Sequence, residues 1–217
     1  MSVDTRRTTA ASVAVLDYGL GNLRSVTKGL ERAGAAVEIT DDPETFGTAD
    51  GIVLPGVGAF REGVENADPY REPLLDAASG GIPIFGICLG MQMLLTTSEE
   101  ADHEGEGSVE GLDLIPGRNR RFDGDLKVPH MGWNELAVGR EHPLVDGIDG
   151  EYAYFVHSYY ADPDDGTATV AETDYGRQFP SIIANDSGTV FGTQFHPEKS
   201  GETGLQILQN FVAICAD

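Results

Sequence analysis

Ile82-Pro-Ile-Phe-Gly-Ile-Cys-Leu-Gly-Met-Gln-Met-Leu-Leu95 is the stretch on which the fold turns. Its apolar residues Ile82, Ile84, Phe85 and Ile87 read as a short buried strand. Met91, Gln92, Met93, Leu94 and Leu95 read as a helix built from good helix formers. Between the two, Gly86 and Gly90 bracket Cys88. A sharp strand-to-helix turn brings main chain against main chain, where a Cβ at either glycine would collide. The same strand, turn and helix present the serine of a nucleophile elbow, here with sulfur in place of oxygen. A cysteine at a helix N-terminus faces unpaired N–H groups that favour the thiolate, the nucleophilic form. On this segment alone a second reading stays open, because a free cysteine in an apolar run is commonly a small buried hydrophobe.

Towards the N-terminus, residues 12–16 form a β-branched apolar run and read as the first strand. Asp17-Tyr-Gly-Leu-Gly-Asn22 is then a loop opening a helix over 23–33, with Gly34 as its C-cap. The loop is no dinucleotide fingerprint, because Arg24 stands where the third glycine belongs. Residues 36–40 and 51–54 read as further strands. The latter ends in Pro55-Gly-Val-Gly-Ala-Phe60, a turn whose free backbone N–H groups suit an oxyanion, although a plain strand-ending turn fits the segment as well. Strands alternating with helices predict a mainly parallel sheet covered on both faces, with sites beyond the C-terminal strand ends. After Leu114 the reading changes to short strands, at 118–122, 127–128, 135–138, 152–160, 168–172, 181–185 and 189–194. These predict an antiparallel or mixed extension of the same sheet, with a hairpin turn at Asn185-Asp-Ser-Gly188. A last helix over 201–214 places Leu205, Leu208, Phe211, Val212 and Cys215 near one face, which makes Cys215 core. Residues 1–11 read as a disordered extension rather than a cleaved signal despite Arg6-Arg7, leaving 12–217 as one domain.

The charge is unusual. Thirty-six acidic residues against fourteen basic ones give −22, and only Lys28, Lys127 and Lys199 are lysines. That argues against binding nucleic acid or an anionic membrane. No apolar run reaches the ~18 residues of a membrane helix. Two cysteines in distant apolar settings suggest no disulfide framework, so a reducing cytoplasm is expected. The acids are spread along the whole chain, a pattern that fits a halophile whose self-repulsion salt must screen.

The partners that Cys88 lacks locally stand in Phe191-Gly-Thr-Gln-Phe-His-Pro-Glu-Lys-Ser200. In an extended segment, His196 and Glu198 project to one side. A carboxylate there can orient the imidazole and stabilise the imidazolium that a Cys–His pair generates. His103, His130, His142 and His157 are scattered without metal-ligand spacing, so no metal site is expected. The acidic, Gly-rich segment from Glu99 to Gly107 reads as a loop.

Phe85-Gly-Ile-Cys-Leu-Gly-Met-Gln92 with Gln194-Phe-His-Pro-Glu198 resembles the class I, triad-type glutamine amidotransferases. Asp17–Ser25, Leu54–Phe60, Pro129-His-Met-Gly-Trp-Asn134 and Tyr154-Phe-Val-His-Ser-Tyr159 narrow the likeness to the glutaminase branch that serves imidazole glycerol phosphate synthase. The resemblance implies a flavodoxin-like doubly wound fold without cofactor. Cys88 would attack the carboxamide of L-glutamine, with His196 as base and acid and Glu198 orienting it. The oxyanion would be held by the N–H of Leu89 and one from the turn Gly56, Val57 and Gly58. Gly56, Gln92, Glu100, Ser158 and Tyr159 would contact the substrate. Ammonia would pass to a (β/α)8-barrel cyclase in a heterodimer, for imidazole glycerol phosphate and aminoimidazole carboxamide ribotide in histidine biosynthesis. Asn22, Met131, Trp133 and Lys199 would face that partner. The alternatives are a glutaminase for another acceptor, against which the 129–134 segment argues, and a non-catalytic protein of the same fold, against which the intact triad argues. A cysteine hydrolase acting on other amides is a further one, less well matched to Gln92 and the 194–198 run.

Overall fold

The computed structural model describes residues 10–100 and 109–216. Short β-branched apolar runs make the first four strands, β1 (Ser12–Leu16), β2 (Ala36–Thr40), β3 (Gly51–Leu54) and β4 (Ile84–Ile87). Between them lie α1 (Leu23–Ala33), α2 (Phe60–Ala67) and α3 (Arg71–Ser79), and α4 (Leu89–Met93) follows β4 at once. The second half is rich in strands. These are β5 (Thr97–Ser98), β6 (Gly117–Arg121), β7 (His130–Glu135), β8 (Ala137–Val138), β9 (Tyr152–His157) and β10 (Tyr159–Pro163). Then come β11 (Thr169–Asp174), β12 (Gln178–Ala184), β13 (Val190–Thr193) and a closing helix, α5 (Gly201–Ala216).

One eight-stranded sheet carries the molecule, in the order β2-β1-β3-β4-β13-β12-β11-β8. The five strands from β2 to β13 pair in parallel, and β12, β11 and β8 continue antiparallel. Alternate residues feed opposite faces. Val13, Val15, Val53, Phe85 and Ile87 join a core with Leu30 of α1 and Phe211 of α5. Ala14, Leu16, Ile52, Leu54 and Ile84 join another with Phe60, Leu74 and Met91. Cover on both faces explains why these strands read as continuous apolar runs rather than alternating ones. The expected class, a mostly parallel α/β sheet with antiparallel strands in the C-terminal half, is what the chain adopts.

This topology positions the site. β4 lies between β3 and β13, so the turn at 55–58, the Cys88 elbow and the segment after Thr193 leave the same C-terminal edge side by side. The hairpin turn between β12 and β13 stands as read, with Gly188 N–H donating to the Asn185 carbonyl.

Several boundaries differ from the reading. Ala11 is not part of an extension: it is buried, and its carbonyl accepts from Ala36 N–H. Residues 1–9 lie outside the described residues. The late strands do not all extend the main sheet. β10, β6 and β5 form a separate three-stranded sheet, and β7 and β9 a two-stranded ribbon. The run 152–160 is two strands, because the chain changes partner at Ser158, from β7 to β6. Residues 127–128 are not a strand, whereas His130–Glu135 is. Glu99 and Glu100 are helical rather than loop, and residues 101–107, with His103, lie outside the described residues. On α5, Leu205 is only half-buried and Ile207 takes its core place, while Cys215 is core as expected. Burial pushes the Cys215 thiol up to about 12.

Candidate active site

Cys88 sits at φ 54°, ψ −108°, outside the usual range for an L-residue. Such a conformation costs on the order of 1–3 kcal/mol and persists only where the surroundings impose it. They do so here. Cys88 N–H donates to the Thr193 carbonyl at 2.8 Å, which extends the β4–β13 pairing into the elbow. A Cβ on Gly90 would fall onto the Leu54 carbonyl oxygen, and one on Gly86 would lie 2.7 Å from Met91 N. Both glycines are therefore fixed by close approach, as the sequence suggested. The helix behind the elbow is only five residues long, so its macrodipole is small. An anion at the elbow would have to be held by the local N–H groups rather than by a long helix.

His196 and Glu198 meet as read. His196 Nδ1 lies 3.0 Å from Glu198 Oε1, and both side chains are almost fully enclosed. A carboxylate oxygen accepts, so Nδ1 carries the proton and the other ring nitrogen is left for the cavity that His196 and Cys88 both line. Glu198 Oε2 has no hydrogen-bond partner, so the imidazole is the carboxylate's one hydrogen-bonded neighbour among the described residues. Burial alone would lower the His196 pKa. The hydrogen bonds and charges of Cys88 and Glu198 outweigh it and raise the value to about 9. The backbone of this segment is clamped to β9: His196 N–H donates to the Tyr154 carbonyl, while Ser200 Oγ donates to the His196 carbonyl and accepts from Tyr154 N–H.

The 55–58 turn closes the third side. Tyr18 Oη donates to the Pro55 carbonyl at 2.5 Å. Burial, then the nearby Cys88, pushes the Tyr18 hydroxyl well above the usual tyrosine range, so it stays a donor. Gly56 has no room for a Cβ, which would stand 2.7 Å from both Gly90 N and Leu89 Cβ. Val57, Gly58 and Leu89 line a cavity of about 290 Å³ together with Cys88, Gln92, Glu100, Ser158, Tyr159, His196 and Lys199. Gly56 itself is not among its lining residues; it presses the turn against the elbow. The Gln92 carboxamide is held inside, donating to the Tyr159 carbonyl and to Gln194 Oε1. Glu100 accepts the N–H of Phe60 at the start of α2. A larger cavity of about 1050 Å³ lies beside β6, β10 and β12. No cysteine, serine or histidine among the described residues lines it, and two of its arginines are paired, Arg120 with Asp162 and Arg177 with Asp123.

Met131 and Trp133 stand out from the β7–β9 ribbon, 61% and 56% exposed, with Tyr154 edge-on to Trp133. Asn22 caps α1 without using its side chain. Tyr18, Gln194 and Ser200 are absent from the site as read from sequence. Their positions inside the quoted motifs were the available signal. His130 and His157, which look scattered, are hydrogen-bonded to each other. No group of three or more His, Cys, Asp or Glu among the described residues could hold a metal.

Residues 14–215 match the family model described as glutamine amidotransferase class-I. A Halobacterium salinarum protein named imidazole glycerol phosphate synthase subunit HisH is 72% identical over 207 residues, covering 95% of each chain. The Natronomonas pharaonis protein of the same name is also 72% identical, over 95% of this chain and 96% of its own. The Methanosarcina acetivorans one is 52% identical over 94% and 98%. The acidic composition fits the two haloarchaeal relatives. Among solved structures, a putative GMP synthase component from Thermoplasma acidophilum superposes with a TM-score of 0.71 at 22% identity, over 96% of this chain and 95% of that one. PurLQS from Thermotoga maritima gives 0.72 at 21%, over 94% and 99%, and both likenesses speak for the fold alone. The chain thus belongs to the class-I glutamine amidotransferases, in the branch of the HisH glutaminase subunits of imidazole glycerol phosphate synthase.

Proposed function

We propose that Cys88, His196 and Glu198 form a triad that hydrolyses L-glutamine to glutamate and ammonia. His196 takes the thiol proton, and Cys88 Sγ bonds to the carboxamide carbon. The oxyanion that forms is held by the N–H of Leu89 and one N–H of Val57 or Gly58, and in comparable sites one such donor is worth roughly 3–4 kcal/mol. The carbon–nitrogen bond then breaks, and ammonia leaves with the proton held by His196. A γ-glutamyl thioester remains. Water, deprotonated by His196, attacks it, and the Cys88 thiol and glutamate are released. Glu198 keeps the imidazole in the Nδ1–H form throughout. Glu100, Ser158 and Tyr159 face the amino-acid end of the substrate.

The observation that carries this reading is the strained Cys88 elbow at one wall of a 290 Å³ cavity that a buried His196, oriented by Glu198, also lines. We further infer that ammonia is handed to a (β/α)8-barrel cyclase subunit in a heterodimer seated near Asn22, Met131, Trp133 and Lys199, in the cytoplasm. Support comes from the relatives' names, which make them synthase subunits, and from the exposed Met131 and Trp133. The test is glutamate release from glutamine in high salt, with and without the cognate cyclase. Low turnover alone and strong stimulation by the partner are expected, with Cys88→Ala inactive and Trp133→Ala losing stimulation. Turnover by Cys88→Ala, or a cyclase that neither binds nor stimulates, refutes the mechanism.

A further inference from the structure

Gln92 and Gln194 belong to a longer buried network that begins on β7. His130 Nδ1 lies 3.0 Å from Nε2 of His157, its register partner on β9. His157 Nδ1 lies 2.8 Å from the Tyr159 carbonyl oxygen. A carbonyl only accepts, so His157 carries its proton on Nδ1. Its Nε2 is then a lone pair, and His130 donates to it from Nδ1. The same Tyr159 oxygen accepts from Gln92 Nε2 at 3.0 Å, and the other hydrogen of that amide goes to Gln194 Oε1 at 3.1 Å. Gln194 is left with its amino group for Cys88 Sγ, at 3.8 Å. Every donor and acceptor is forced by the one before it. A flipped amide or a changed tautomer would set donor against donor or acceptor against acceptor, which is costly among buried groups.

His130, His157, Gln92 and Gln194 are all buried. Burial pushes His130 down to about 4 and His157 down to about 3, so both rings are neutral, as the alternation of donors and acceptors requires. The His130 ring is also packed, stacked on Tyr175 with centroids 4.0 Å apart and on Phe155 at 5.0 Å. Ring and donor are therefore separable contributions of one residue.

We propose that His130 and His157 are positioning residues for the nucleophile, setting Cys88 through five consecutive hydrogen bonds by way of the Tyr159 carbonyl, Gln92 and Gln194. The chain starts on the strand that carries Met131 and Trp133 on its outer face and ends on the sulfur. It rests on Cys88 being the nucleophile.

Two variants separate the donor from the ring. His130→Phe keeps the stack and deletes the donor, whereas His130→Asn keeps an N–H near the Nδ1 position and deletes the ring. The full chain, bound to its cyclase in about 2 M KCl to screen its charge, is assayed for kcat and KM with glutamine, for Cys88 alkylation by iodoacetamide, and for Tm. For His130→Phe, kcat and the alkylation rate fall roughly fivefold to tenfold while KM stays within about twofold. Its Tm falls less than that of His130→Asn, because the ring stack is kept. For His130→Asn both rates hold and Tm falls. Rates that follow Tm rather than the donor, or a parent-like His130→Phe, overturn the proposal. Should His130→Phe not fold, ¹⁵N NMR of the unmodified protein decides: both imidazoles must show the Nδ1–H form, and an Nε2–H form at either one overturns it. Alkylated enzyme that still turns over glutamine would refute the nucleophile assignment instead. Alkylation that abolishes turnover, with His130→Phe reacting like the parent, refutes the positioning chain alone.

Discussion

Removing the partners of His196 one at a time gives the sharpest test of the site. Raising an imidazole from 6.5 to about 9 corresponds to about 3 kcal/mol of preference for imidazolium. Burial acts in the opposite direction, so Cys88 and Glu198 together must supply more than that. Glu198→Gln keeps an acceptor for Nδ1–H and so preserves orientation, but it removes the charge. Cys88→Ala removes the influence of the thiol side. Each single variant should titrate His196 below about 9. The double variant should fall below 6.5, because burial is then the dominant influence left. The assay is an NMR titration of the His196 ring across pH 4–11 in each of the four proteins, in high salt, with the other histidines assigned by substitution. Since Cys88 also acts on His196 in the parent, the Cys88→Ala background is where the Glu198 contribution reads out cleanly. A double variant that still titrates above 6.5 would show that the imidazolium is held by something else, and the roles given to Cys88 and Glu198 would be wrong.

Two other expectations concern the frame around the site. Gly90→Ala drives a Cβ into the Leu54 carbonyl oxygen at the end of β3, and the parallel pairing of β3 with β4 leaves that strand little room to yield. The expected loss is roughly 1–3 kcal/mol by denaturant unfolding in high salt, with glutaminase activity falling alongside; an unchanged midpoint and turnover would contradict the close approach. With a net charge of −22, the protein should melt at a clearly higher temperature in ~2 M than in ~0.1 M KCl as screening relieves repulsion. Equal melting temperatures in the two buffers would remove the halophile argument.

The parts of the fold that could be read from sequence are those whose signal is local. The Cys88 elbow is an apolar strand, two glycines and a helix start within fourteen residues. His196 and Glu198 stand two apart in one segment, and the parallel strands are apolar throughout because both sheet faces are covered. What failed depended on pairing between distant residues. Nothing in the run 152–160 marks Ser158 as the point where the chain leaves β7 for β6. The pairings belong to His130–Glu135 and Gly117–Arg121, segments whose own positions the run does not encode. The core position on α5 given to Leu205 went to Ile207, since neighbours on the α1 side, not periodicity alone, decide which flank of an apolar face is closed.

β7 was missed for a different reason, which bears on function. Its inward positions are His130, Gly132 and Asn134, and its outward ones Met131, Trp133 and Glu135. The pattern is inverted: the polar side faces in, and two large apolar side chains face out. A strand with that pattern does not look like a strand by alternation, because the rule assumes the apolar face is the buried one. The inversion holds only if each side is compensated. On the inner side, His130 is compensated by His157 and the stacked rings, so a polar residue lies in the core without an unpaired donor. On the outer side, Met131 and Trp133 remain uncovered in the isolated chain, and their burial requires a second surface. Since His130 and Trp133 sit three residues apart on opposite faces of one two-stranded ribbon, a surface that seats on Trp133 bears directly on the strand from which the chain of hydrogen bonds to Cys88 begins. The sequence feature that defeated the strand assignment is thus the one that joins an exposed apolar face to Cys88.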